Sequence, residues 1–266
     1  MRYGFHVSIA GKLGVAGAAE EAHLLGLSAI QIFAKSPRSW KTRSLKAGEI
    51  EGFRARRENL GGLPTVIHAS YLVNLAAEGE LWEKSVFSLA DDLAKAQMLG
   101  IEYVVVHPGS GSAEKARAGA LKACELAGLG KNGSWLLLEN TAGGGEKLGA
   151  SLRTLAELVE GTPLGVCFDT CHAFAAGYSL AEALDELEQT VGLHRVPVIH
   201  LNDSVGERGS QIDHHASLME GKIGEELMDF VLDPRLQDKI FIMETPRGTL
   251  EDAHNLRVLR GWLSST

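Results

Sequence analysis

The sequence contains no run of eighteen apolar residues, so no segment of it reads as a membrane-crossing helix. Cysteine is scarce: Cys124, Cys167 and Cys171 make an odd set of three. That argues against a disulfide framework and for a reducing compartment. The opening residues MRYGFHVS lack the basic and apolar regions of a signal peptide. The expected location is therefore the cytoplasm. An excess of positive charge is also missing, since the formal net charge is −8. Taken alone, this speaks against a general nucleic-acid binder. Bound divalent cations would invert the local sign, so carboxylates that hold ions leave DNA open as a substrate. There is no internal repeat, low-complexity tract or interdomain linker. The 266 residues, 45% hydrophobic and 23% charged, read as one globular domain spanning 1–266.

What is present is a recurring unit. A short β-branched apolar run ends in a metal-type ligand, and a helical pattern follows. The runs are PTVIH at 64–68, YVVVH at 103–107, WLLLE at 135–139, LGVCFD at 164–169, PVIH at 197–200 and IFIME at 240–244. YGFHV near the start and AIQIF at 29–33 raise the number of candidate strands to eight. Continuous apolar runs suit strands buried on both faces of a parallel sheet. Helical stripes lie between them: Val86, Leu89, Ala90 and Leu93; Leu180, Ala183, Leu184 and Leu187; Leu256, Leu259 and Leu263. Eight strand–helix units in this length predict an α/β fold, a (β/α)8 TIM barrel, with a doubly wound open sheet as the alternative.

In such a barrel, strand C-termini converge on one mouth. His68, His107, Glu139, Asp169, His200 and Glu244 each end a strand and are expected to meet there. Within GVCFDTCH, strand alternation turns Cys167 and Asp169 to one face and Phe168 to the other. His172 follows in the next turn. The thiols of Cys167 and Cys171 read as small buried hydrophobes rather than zinc ligands. In GSQIDHH, Asp213 and His215 share one side of an extended loop, while His214 points away. His214, His194, His23 and His254 read as solvated. Nine ligands, His68, His107, Glu139, Asp169, His172, His200, Asp213, His215 and Glu244, exceed the needs of one ion and suit two or three. A mixed imidazole–carboxylate set favours Zn²⁺ or Mn²⁺. Closely spaced ions suit in-line displacement at phosphate. Loops 34–46, 69–80 and 202–224 exceed what helix packing needs and are expected to bind substrate. Lys35, Arg38, Lys41 and Arg43 make the first of them basic.

The motifs HASYLVNLA at 68–76, GVCFDTCH at 165–172 and HLNDSVGERGSQIDHH at 200–215 resemble endonuclease IV, the zinc-dependent AP endonuclease family 2. HPGS, LENTAG, MET and HVSIAGKL also fit, over essentially the whole chain. The resemblance implies a trinuclear zinc centre, with Mn²⁺ admissible at one position. His68, His107 and Glu139 would hold one ion. Glu139, Asp169, His200 and Glu244 would hold a second, and His172, Asp213 and His215 a third. Glu139, Asp169 and Glu244 would be the catalytic carboxylates. The implied reaction is hydrolysis of the phosphodiester bond 5′ of an apurinic/apyrimidinic site by a zinc-bound hydroxide. It leaves a 3′-hydroxyl and a 5′-deoxyribose phosphate, and blocked 3′ ends would be trimmed as well. Double-stranded DNA with abasic sites is the implied partner, with Arg38 entering the duplex and Tyr71 stacking in the gap. A monomer in the cytosol, beside the DNA, is expected.

The chain departs from the family pattern in three places. Val205 stands where a lysine is expected, Met219 where a glycine is expected, and Lys12 where AGGL is usual. The competing function is a metal-dependent sugar isomerase or epimerase on the same barrel. A non-catalytic protein for damaged DNA is a second rival.

Overall fold

The computed structural model describes residues 1–129 and 133–264. Among them, eight parallel strands form one sheet. They are β1 (Arg2–Phe5), β2 (Ile30–Phe33), β3 (Thr65–His68), β4 (Tyr103–Val106), β5 (Trp135–Glu139), β6 (Gly165–Asp169), β7 (Val198–His200) and, after a small antiparallel hairpin of β8 (Asp203–Ser204) and β9 (His215–Ala216), β10 (Ile240–Met243). Each expected strand is present. His107 and Glu244 lie one residue beyond the strands they were expected to end. The helices are α1 (Val15–Leu25), α2 (Ala47–Asn59), α3 (Gly79–Leu99), α4 (Ala113–Leu126), α5 (Leu152–Val159), α6 (Thr170–Ala176), α7 (Leu180–Thr190), α8 (Glu226–Leu232) and α9 (Thr249–Leu263).

The strand order is β1-β10-β7-β6-β5-β4-β3-β2, so β1 and β2 meet at a seam. The seam is closed by one parallel bridge, His6 to Gln31, and by backbone bonds from Ala29 N to Tyr3 O at 3.0 Å and from Val7 N to Gln31 O at 2.8 Å. Gly4 makes this possible. A Cβ built on Gly4 would lie 1.7 Å from the carbonyl oxygen of Ala29. Only a residue without a side chain lets the two strands approach this closely.

Two separate apolar layers result from strand alternation. Val66, Val105, Leu137, Cys167, Val198, Ile240 and Ile242 fill the barrel interior. Ile67, Val104, Val106, Leu138, Phe168, Phe241 and Met243 face the helices, where Phe168 packs on Phe230 of α8 at 5.6 Å between ring centroids. The expected split of Cys167 from Phe168 is therefore observed. The stripes on α3, α7 and α9 are buried against the sheet, save for Leu263, which is only partly covered.

The interior plug stops at the strand C-termini, where the next side chains on the same face are polar. Register carries them around the mouth. His68 pairs with Val105 and Glu139 with Cys167, so the polar residue of the next strand stands two residues higher there, whereas Asp169 pairs directly with His200. At Met219 the backbone is left-handed, with φ of 66°. A glycine would adopt it freely, which gives a physical basis for expecting glycine there.

Two stability outcomes follow. Gly4→Ala is expected to destabilise the fold by roughly 1–3 kcal/mol or more, the scale of an overpacked core, read as a lower denaturant midpoint. Met219→Gly is expected to stabilise it by up to about 1 kcal/mol, read as a higher midpoint, because relief of a left-handed L-residue (~1–2 kcal/mol) outweighs glycine's unfolded-state entropy (~0.5–1 kcal/mol).

Candidate metal centre

At the barrel mouth three groups of ligand atoms gather, the atoms of each lying within 4.8 Å of one another. One joins His68, His107 and Glu139. A second joins Glu139, Asp169, His200 and Glu244. The third joins Asp169, His172 and His215. Glu139 belongs to the first two and Asp169 to the last two. Asp213, about half exposed, approaches the third group from the solvent side. Its Oδ1 lies 3.0 Å from His172 Nε2 and 3.7 Å from His215 Nε2. All nine expected residues thus converge, and Asp169 has a second neighbourhood that the sequence reading did not assign.

Local backbone structure sets the Asp169–His172 spacing. Asp169 caps α6, its Oδ1 accepting from the His172 amide at 2.7 Å. His172 therefore stands in the first turn of a helix rather than in a loose turn. Asn140 holds the same corner. It donates to Asp169 O at 3.0 Å and accepts from Asp169 N at 2.6 Å. Asn202, just beyond β7, bridges the strands on either side of it, donating to Asp169 Oδ2 at 2.7 Å and accepting from Glu244 N at 2.8 Å. These asparagines lie in LENTAG and HLND, one and two residues after a ligand. A polar residue within two positions of a strand-ending ligand was the available signal for them.

The imidazoles are oriented in a common way. Nδ1 of His68 lies 2.8 Å from Ala69 O, Nδ1 of His172 lies 3.0 Å from Asn140 O, and Nδ1 of His215 lies 3.2 Å from Glu244 O. A carbonyl only accepts, so each Nδ1 carries the proton. Nε2 is then a bare lone pair in the neutral ring. Yet Nε2 of His68 lies 3.2 Å from Glu139 Oε2, and Nε2 of His172 lies 3.0 Å from Asp213 Oδ1. Two acceptors face each other without a proton between them. His215 Nε2 and His107 Nδ1 are buried with no hydrogen-bond partner. Either protons or cations must join these pairs, and a carbonyl behind each ring is the usual support for a metal-ligating imidazole. The donor set fits divalent ions.

In the metal-free protein, protons fill that role. Burial alone would lower His200 and His172, but Cys167, Glu244 and Glu139 hold His200, and Asp169, Asp213 and Glu139 hold His172, well above the ordinary histidine value. Burial alone would raise Glu139, but His107, His200 and His172 keep it well below the usual carboxylate range. The His172 hydrogen bond, against burial, brings Asp213 down to about 2. His107 is lowered, chiefly by burial. Burial pushes the Cys167 and Cys171 thiols up to about 12, so both are protonated sulfurs in the packing.

The loops around the mouth divide by charge use. Tyr71 is 58% exposed and stands over the first group, its ring 5.8 Å from His68 and 5.3 Å from Phe33. Tyr71 N and Ser70 Oγ both donate to Pro37 O, which ties the second loop to the first and sets exposed Arg38 near the phenol. Lys41 is exposed, while Arg43 is engaged by Glu49 at 2.8 Å. Lys35 corrects the expectation of a basic loop. Its side chain is buried, with Nζ 3.1 Å from both Asp91 and Asp92 and 2.6 Å from Ser88 O. The backbone just past β2 brings Lys35 against α3, where its charge is spent on the two aspartates. His214, His194 and His23 are exposed as expected. His254 is half-buried instead, 2.8 Å from Leu218 O. Two further residues at the mouth were not singled out: His6, one residue past β1, and Gln31, inside β2. A glutamine in the otherwise apolar run AIQIF was the signal.

Comparison with known proteins places this arrangement. A family model described as a xylose isomerase-like TIM barrel, AP endonuclease 2, matches residues 19–265. The chain is 68% identical to endonuclease 4 of one strain of Thermus thermophilus, covering 98% of each chain. It superposes on the crystal structure of endonuclease IV from a second Thermus thermophilus strain with a TM-score of 0.97, at 67% identity and full coverage of both. A D-tagatose 3-epimerase-like protein shares the fold, with a TM-score of 0.78 at 22% identity over 100% of this chain and 98% of its own. The barrel and its length are thus common ground with the epimerase-like protein, whereas two-thirds of the residues are identical to those of the Thermus thermophilus endonucleases. The chain belongs to the endonuclease IV family.

Proposed function

We propose that this protein is a DNA-repair endonuclease that hydrolyses the phosphodiester bond 5′ of an abasic site, leaving an extendable 3′-hydroxyl. One observation carries the reading: three imidazole–carboxylate groups sharing Glu139 and Asp169 lie beneath a rim that offers an aromatic ring and a free guanidinium. His68, His107 and Glu139 would hold one ion, Glu139, Asp169, His200 and Glu244 a second, and His172, Asp213 and His215 a third, with Asp169 touching the third as well. The imidazole-rich set favours zinc, with Mn²⁺ admissible at one position. Such ions would supply Lewis acidity at a phosphoryl oxygen and activate a water for in-line attack.

The chain's own residues perform the rest. Tyr71, His107, Lys147 and Asp213 line a cavity of about 260 Å³ beside the groups. Its mixed polar and apolar lining suits a sugar-phosphate without a base. Arg38 would reach the duplex, and Tyr71, backed by Phe33 and His68, would present a flat ring to unstacked bases. Carboxylates alone would repel DNA, so bound ions would also reverse the sign of the mouth. A sugar isomerase would have little use for the third group or for this rim. One domain, acting as a monomer in the cytosol beside DNA and trimming blocked 3′ ends, completes the proposal.

The decisive assay uses a duplex with one abasic analogue that cannot undergo β-elimination. A single cut 5′ of the lesion, extendable by a polymerase, is expected. Absence of incision by folded, metallated protein would overturn the reading. Glu139→Gln is expected to lower the rate by more than about 100-fold, beyond the ~10–100-fold typical of residues that merely support a ligand. Cys167→Ala should keep near-native incision and lose about 1 kcal/mol of stability.

Acid should loosen the ions, because His172 and His200 bind protons more tightly than an ordinary histidine when metal-free. Uptake of zinc by metal-free protein near neutral pH is expected to release protons, measurable in weak buffer. The same raised values stabilise the metal-free fold below the ordinary histidine value of 6.5, and that share is lost as pH rises through the folded values. Thermal melts should show the metal-free form losing stability over that rise while the metallated form does not.

A further inference from the structure

His200 is supported differently from the other oriented histidines. The second nitrogens of His68, His172 and His215 face backbone carbonyls, but His200 Nε2 lies 2.8 Å from the side-chain oxygen Oε1 of Gln31. Its Nδ1 is turned to the second group, 2.9 Å from Glu139 Oε1 and 3.4 Å from Glu244 Oε2. The amide nitrogen of Gln31 donates to Glu244 Oε1 at 2.6 Å and lies 3.0 Å from His6 Nδ1. Gln31 is completely buried. Every polar hydrogen and one lone pair of its amide are thus used: one oxygen accepts from His200, and two N–H bonds go to Glu244 and His6.

We propose that Gln31 is a positioning residue dedicated to the second metal group. Its oxygen fixes His200 as the tautomer protonated on Nε2, which leaves Nδ1 free to ligate. Its nitrogen pins one oxygen of Glu244, which leaves the other turned to His200 and Glu139. One side chain therefore orients two of the four ligands of one group and none of those found only in the first or third. His6, held on the other amide hydrogen, keeps Gln31 from rotating. This inference rests on the metal-centre reading above. Gln31 stands at the seam of β1 and β2, where only a side chain projecting across the gap reaches both His200 and Glu244.

The test counts ions. Wild type and Gln31→Met, a near-isosteric change that removes all three hydrogen bonds, are loaded with zinc and titrated with a chromophoric chelator. Melting of the metal-free forms is followed in parallel. One ion of the variant is expected to bind about 10–100-fold more weakly, the scale for loss of a supporting partner, while the other ions keep their affinity. With cobalt in place of zinc, the visible bands of the weakened position should shift. Unchanged affinities, or equal weakening of every ion, would overturn the proposal, because a packing role predicts one or the other. Gln31→Asn keeps the amide but is one methylene too short to span both partners, and it should weaken the same single ion if Gln31→Met does not fold. A wild type that binds no ion tightly would overturn the metal-centre reading itself, which separates that failure from this one.

Discussion

A carboxylate with no contact with solvent sits at the centre of this barrel. Glu139 is fully buried, and an isolated charge there would cost more than a domain of this size can offset. Everything at the mouth answers that constraint. His68, His107, His172 and His200 surround Glu139 within 3.5 Å. Asp169 and Glu244, drawn in by the same imidazoles, extend the pattern outward. The apolar plug below, from Val66 to Ile242, closes the site from beneath. Cations, whether protons or divalent ions, are a structural requirement of the site before they are a catalytic one.

The supporting network follows from where strand ends leave the backbone. Beyond β3, β5 and β10, carbonyl groups no longer spent on the sheet turn to the second nitrogens of His68, His172 and His215. Asn140 and Asn202 satisfy the backbone of Asp169 and Glu244 where the ladder ends. At the β1–β2 seam the ladder is thinnest, and there the role passes to Gln31. The same seam depends on Gly4, so close backbone approach and ligand orientation share one place in the barrel.

Charge on the rim is distributed by burial rather than by count. The loop after β2 carries five cations in sequence, Lys35, Arg38, Lys41, Arg43 and Lys46, but Lys35 is held by Asp91 and Asp92, and Arg43 by Glu49. Arg38 and Lys41 remain available. A chain with net charge −8 would meet a polyanion through a few free cations and through ions that its own acids could hold.

The strand-ending ligands, the eight strands and the fold could be read from the sequence because each depends on local chemistry: an apolar run of strand length, then one polar residue. The pairing of Asp213 with His215 was likewise a matter of two-residue spacing. Other features depended on which segments meet. Asp169 borders two groups, Lys35 turns into α3, His254 finds Leu218, and Gln31 joins His200 to Glu244. The last two contacts alone span separations from 36 residues to 213. No local pattern encodes such distances. Strand register, barrel tilt and the closure permitted by Gly4 decided them, because only these bring groups remote in sequence to within a hydrogen bond's length.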